Sequence, residues 1–327
     1  MFASLPEMMP AAGVVGLSVA VAGCGVVTGE TALGWANGAQ KIPATAATVF
    51  EAASLGKPVF ACIVVRLVQA GMFGLDDELR ALAPLGDEAG SLPGLTVRHV
   101  LSHTSGLPNW RSPERPFCLY FAPGTRFSYS GEAYALLQRV VEQVSGETLE
   151  TLAERLVFGP LGMVNSTFDG ATALRQTLAV PHDGSGNSLA KKLGRPNAAS
   201  SLHTTAADYA RFVVAVLDDR MSLSSTGWLA PQMAVPARFF EALDPAGKPS
   251  VDSAVAWGLG WGLETDGAAL FHWGSNPGFK SFVFGSRRDG RALVTLSTGT
   301  AELGLGAEMT KFMFGGSRPC LDWFERG

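Results

Sequence analysis

The sequence predicts one antiparallel β-sheet built from both ends of the chain and flanked by helices, with an inserted helical domain: α/β plus all-α. Three observations carry that reading. β-Rich runs around glycine turns open the chain in GLSVAVAGCGVVTGETALGWANG (16–38), amphipathic helical patterns fill its middle, and short β-rich runs joined by turn signals return from Ala256 onward. The 327 residues accordingly divide into an α/β part over 1–72, a mostly helical domain over 73–250 and a second α/β part over 251–327.

The opening run has two readings. AAGVVGLSVAVAGC looks like a secretory apolar region ending in a small-small-Cys site, which would export the chain as a lipoprotein through Cys24. Export leaders carry a positive charge, however, and no Lys or Arg precedes Lys41, so a pair of short strands and a cytoplasmic location are expected. No span has the length of a membrane helix. Next comes an apolar helix from about Ser54 to Met72, with Cys62 inside it as a small buried hydrophobe. GLDDELRALAPLG (74–86) has an acidic start and a Pro/Gly stop. SGEAYALLQRVVEQVSG (130–146) and TTAADYARFVVAVLDD (204–219) repeat apolar residues at three- and four-residue spacing behind Ser or Thr caps. Polar loops such as HDGSGNSLAKKLGRPN (182–197) separate them. AWGLGWGLE, ALFHWG and FKSFVFGSRRDGRALVTLSTG then read as strands and turns.

Composition excludes several classes of function. With 47% hydrophobic residues, 17% charged and a net charge of −4, there is no basic footprint for nucleic acid. Four cysteines without CxxC spacing read as free thiols, and neither GxSxG nor GxGxxG occurs. His99 and His103 fall four apart in RHVLSH, but no Cys or acidic residue accompanies them, so capping is expected and no metal.

The chemistry concentrates at Ser54 and Lys57. Pro58 has no N–H, so the Ser54 carbonyl cannot take the usual helical bond from four residues on, which places Ser54 at the helix lip. Unpaired N–H groups and the positive end of the helix dipole favour developing negative charge there. Three residues is nearly one turn, so the lysine shares the serine's face. A lysine can remove the serine proton only if its pKa is lowered, and the apolar helix supplies the burial. Ser188 and Lys191 repeat the spacing in a polar loop that offers neither burial nor a helix lip.

LSHTSGLPNW (101–110), FAPGTRFSYSGEAY (121–134), FGPLGM (158–163), SLHTTAADYARF (201–212) and FHWGSNPGFKSF (271–282) resemble recurring segments of the class C β-lactamase and penicillin-binding-protein superfamily. That group includes family VIII carboxylesterases and D-amino-acid peptidases, and the resemblance runs over nearly the whole chain. It implies a β-lactamase/transpeptidase-like fold and a cofactor-free serine hydrolase, with Ser54 acylated, Lys57 its proton partner and Tyr129 of YSG the motif tyrosine. Either Lys57 or Tyr129 could be the base: a phenol beside an ammonium is pushed towards tyrosinate, so the two would titrate as a pair. The resemblance further implies an oxyanion hole from the backbone N–H groups of Ser54 and Ser275, and a substrate-binding wall from Gly131, His272, Trp273, Gly274 and Asn276. Within HWG, His272 would face the pocket and Trp273 would pack on the opposite face.

Gly131 departs from the superfamily pattern, which has asparagine there to hold a substrate amide. Losing that partner favours an ester substrate, unless Asn276 or a water fills the place. The expected partner is a small-molecule ester, and the expected activity a short-chain carboxylesterase. A β-lactamase or D-amino-acid peptidase acting on a β-lactam-like substrate, and a sensor that is acylated once and stays trapped, are the alternatives.

Overall fold

The structure, a computed structural model, describes residues 5–86, 92–173, 177–183, 185–190, 193–238, 240–244, 250–300 and 304–326. The opening apolar run is a strand, β1 (Val14–Gly23), turned at Cys24 and Gly25 into β2 (Val26–Asn37). Both are longer than the short strands expected, because β1 is paired along nearly its whole length on each side. Val19 lies opposite Thr31 of β2 and opposite Thr295 of β11 (Arg291–Gly299).

The remaining strands are β3 (Ile42–Pro43), β4 (Phe50–Ala53), β5 (Leu202–Thr204), β6 (Met233–Pro236), β7 (Val251–Trp257), β8 (Gly262–Glu264), β9 (Ala269–Asn276) and β10 (Phe279–Ser286). Nine strands among the described residues join in the order β3-β2-β1-β11-β10-β9-β8-β7-β6. The two ends of the chain thus meet at the β1–β11 ladder. The edge strand β6 comes from the stretch the sequence assigned to the helical domain.

Alternation along the strands gives the sheet two apolar faces. Leu17, Val19 and Leu293 join Leu5, Leu305 and Met309 of the terminal helices, whereas Ala20, Ala22, Val294 and Leu296 join the large core on the other face. That core contains the helix Gly56–Gln69 (α1), whose residues are buried almost throughout, the helix Gly131–Ser145 (α2) and the helix Ala206–Leu217 (α3). Ser130 caps α2 and Thr205 caps α3 through side-chain oxygens, as the sequence signals require. The acidic stretch after α1 forms only the short turn Leu79–Leu82.

β4 and β5 form a separate two-stranded ladder against the inner strands β9, β10 and β11. It carries the chain from the sheet into α1, and this junction positions the site.

Candidate active site

Ser54 stands in the turn between β4 and α1. The helix begins at Gly56, two residues after the expected start, and the Ser54 carbonyl accepts from Lys57 N at 3.0 Å, the three-residue bond left open by Pro58. Ala53, just before the serine, has φ of 51°, a left-handed conformation unfavourable for a residue with a Cβ. The turn is braced from a distance: Tyr209 of α3 donates its hydroxyl to the Leu55 carbonyl at 2.9 Å.

Lys57 is 1% exposed, and its Nζ lies 3.0 Å from Ser54 Oγ. Nζ also donates to the Ala199 carbonyl at 2.7 Å and sits 4.8 Å from the centre of the Tyr129 ring. Burial holds the lysine well below its usual pKa. A neutral amine keeps a lone pair, so at this separation it can accept the serine proton.

Tyr129 reaches the site from the loop before α2. The His103 ring stacks on the phenol at 4.1 Å between centroids, while His103 Nδ1 accepts from Ser130 N at 3.0 Å and the His103 carbonyl accepts from Ser128 N at 2.8 Å. The HTSGLP segment therefore shapes the tyrosine's loop. Burial pushes the Tyr129 phenol up, opposed by the nearby Ser54 hydroxyl. Burial thus opposes the tyrosinate that a neighbouring ammonium would favour.

The third segment lies along β9. A Cβ on Gly274 would fall 2.2 Å from the Ala52 carbonyl oxygen, 2.3 Å from Ser281 Oγ and 3.1 Å from Ser54 N. Only glycine lets β9 pass so close to the end of β4, and Ser281 Oγ donates to that Ala52 carbonyl at 2.8 Å. Ser54 N thereby lies close to Gly274, the residue before Ser275, and both serines line one cavity. Lys280 reaches across from β10, donating to Ser275 Oγ at 2.6 Å.

Of the two expectations for this strand, the packing of Trp273 holds, its ring lying against Trp323 and Phe324, whereas His272 does not line the cavity. His272 is fully buried beside Trp257 and Trp273, its Nδ1 is engaged by the Trp273 backbone, and burial pushes its pKa down to about 3. Trp273 also reaches the cavity lining. Alternation along a strand fixes that neighbours differ in face, but not which one looks outward.

Asn276 Nδ2 donates to Glu51 Oε1 and, at 3.0 Å, to the Ser200 carbonyl, so this amide fastens β9 to its neighbours and does not fill the place beside Gly131. That place belongs to Trp110: a Cβ on Gly131 would lie 2.6 to 2.9 Å from three atoms of the indole. Asn109 is adjacent, its Oδ1 accepting from Gly131 N at 3.0 Å. Asn109, Trp110 and the Ala199 carbonyl were not identified from sequence, and nothing in local pattern marks them.

A cavity of about 600 Å³ opens onto these groups, lined by Ser54, Tyr129, Asn109, Trp110, Trp273 and Ser275 among others, within the range of small-molecule sites. A larger cleft of about 670 Å³ near Arg139 and Arg195 contains no serine–lysine pair. His99 and His103 part as expected. His99 forms a capping box with Thr96 at the helix Val97–Leu101, while His103 turns under Tyr129. Ser188 is exposed, and Lys191 lies outside the described residues.

The sequence and the fold are similar to those of known proteins. The chain is 34% identical over 206 residues to Esterase EstB of Burkholderia gladioli, covering 52% of this chain and 51% of that protein. It is 28% identical over 286 residues to Penicillin-binding protein 4 of Amycolatopsis lactamdurans, covering 76% and 70%. Penicillin-binding protein 4* of Bacillus subtilis matches at 30% over 40% of this chain and 33% of its own length, so the chain spans only a third to a half of the curated relatives it matches first. A penicillin binding protein from Bacillus halodurans has the same fold, with a TM-score of 0.79 over 96% of this chain and all of that one at 21% identity. The family model described as Beta-lactamase matches residues 3–315. Because that match spans the sheet from β1 to β11 and every side chain gathered around Ser54, the chain belongs to the β-lactamase family, a superfamily of serine hydrolases.

Proposed function

We propose that the chain is a carboxylesterase of short-chain esters, working through an acyl-enzyme at Ser54. One observation carries the choice of ester over amide: beside Gly131 the cavity presents an indole, where an amide substrate would need a hydrogen-bonding side chain. The relative named Esterase EstB points the same way.

In this reading neutral Lys57 takes the Ser54 proton as Oγ attacks the ester carbonyl carbon. Its oxygen becomes an oxyanion held by the N–H groups of Ser54 and Ser275, an arrangement worth a few kcal/mol of transition-state stabilisation. The C–O bond to the alcohol then breaks, and the departing alkoxide takes a proton from Lys57, directly or by way of the Tyr129 hydroxyl. Water attacks the acyl-enzyme by the same proton path in reverse and releases the acid. Lys57 is the base and Tyr129 a proton donor, since burial favours the neutral form of each. Four unpaired cysteines fit a reducing, cytoplasmic compartment.

A β-lactamase or D-amino-acid peptidase is the second reading, favoured by Asn109, a carboxamide standing against Gly131. Steady-state rates on p-nitrophenyl butyrate and nitrocefin separate the two. The ester should turn over faster, Ser54→Ala should abolish turnover, and Lys57→Ala and Tyr129→Phe should each lower kcat by about 10²–10⁴-fold. Faster nitrocefin turnover would reverse the order, and normal activity in Ser54→Ala would end the proposal.

A further inference from the structure

Trp110 is a large apolar side chain left 45% exposed, yet it is held firmly. On one side of it, the Asn109 carbonyl accepts from Gly131 N and Glu132 N at 3.1 and 2.9 Å, and Asn109 N donates to Glu241 Oε1 at 2.7 Å. On the other, Arg111 meets Glu132 through its backbone N at 3.1 Å, its Nε at 3.0 Å and a terminal nitrogen at 2.9 Å. Both neighbours are thus clamped to the start of α2, and the indole rests on Gly131, the position where a side chain would displace it.

The cavity has a second aromatic surface. Trp273 packs on Tyr129 at 5.2 Å and on Phe240 at 4.7 Å between centroids. Trp110 lines the same cavity, yet among the described residues it makes no ring contact with Phe240 or Trp273. Ser54 lines the same cavity. Arg115 and Glu241, the two charged side chains in the described cavity lining, pair with each other.

We propose that this space is an aryl slot: the substrate is a neutral ester carrying a planar aromatic group, which enters between Trp110 and the Trp273–Phe240 wall and sets the carbonyl against Ser54. The proposal rests on the esterase reading and names its substrate class. Offset stacking prefers a flat ring to a puckered one of equal carbon count, by about 3- to 10-fold per good stack. Rigid walls add to the selectivity, since little ordering remains to be done on binding.

The test compares kcat/KM within two matched pairs: benzyl acetate against cyclohexylmethyl acetate, and methyl phenylacetate against methyl cyclohexylacetate. The first pair carries the ring on the alcohol, the second on the acyl group. The aromatic member should be preferred about 3- to 10-fold in at least one pair. That preference should fall to about one in Trp110→Ala and largely survive in Trp110→Phe, with near-ultraviolet circular dichroism checking that both variants are folded. Hydrolysis of all four esters with ratios near one overturns the slot alone. An unchanged preference in folded Trp110→Ala overturns the role of Trp110. Failure to hydrolyse any of them, or p-nitrophenyl butyrate, overturns the esterase reading and the slot together.

Discussion

Lys57 is the residue on which the site's proton balance turns. Burial depresses its folded pKa, so below the unfolded value of about 10.4 the unfolded chain holds a proton that the folded one lacks. Stability therefore rises with pH across that interval, by at most about 1.4 kcal/mol per unit. Relative to Lys57→Met, the wild type should gain in Tm between pH 7 and pH 10, and flat, parallel profiles would contradict a buried neutral amine. The rate should follow the same group, with kcat/KM climbing as pH rises through the depressed lysine pKa. His272 acts at the acid end. Its folded pKa of about 3 lies under the ordinary 6.5, so stability is lost as pH falls across that window, again by about 1.4 kcal/mol per unit. Urea midpoints at pH 7 and pH 5 should separate less in His272→Asn than in the wild type.

At the level of elements, the site depends on how closely β9 passes β4. Gly274→Ala would drive a methyl into the Ala52 carbonyl and Ser281 Oγ and push the two strands apart. Because the proposed oxyanion donors lie one on each side of that contact, kcat should fall by about 10²–10³-fold, with KM changing far less. A kcat within threefold of wild type would show that the donors lie elsewhere. Ser54 and Lys57 were legible because their relation is local, a helical turn with a proline in it. Tyr129 was found only through the company of its motif, since no periodicity links residue 129 to residue 54. The burial of His272 away from the cavity lining shows where strand patterning stops. Trp110, Asn109 and the Ala199 carbonyl come from loops whose course is set by distant partners such as Glu132, Glu241 and Gln138.

For the whole molecule, the joining of both chain ends in one sheet was readable from the two β-rich terminal regions, whereas the strand order was not. The β1–β11 ladder links residues almost the full chain apart, a non-local pairing of the kind that slows folding. A version ending at residue 250 keeps Ser54, Lys57 and Tyr129 but loses five inner and outer strands, β7 to β11, leaving β1 with one neighbour. It should show no cooperative thermal transition by circular dichroism, and a sharp one would mean that the helical part stands alone.

The same ladder has a consequence for synthesis. On the ribosome, the serine, lysine and tyrosine leave the exit tunnel well ahead of Ser275, and β11, which seals the sheet, follows later still. An unfinished polypeptide would therefore have the proposed nucleophile but only one of the two proposed backbone donors, and the proposed hydrolysis would wait for β9 to β11 to be translated.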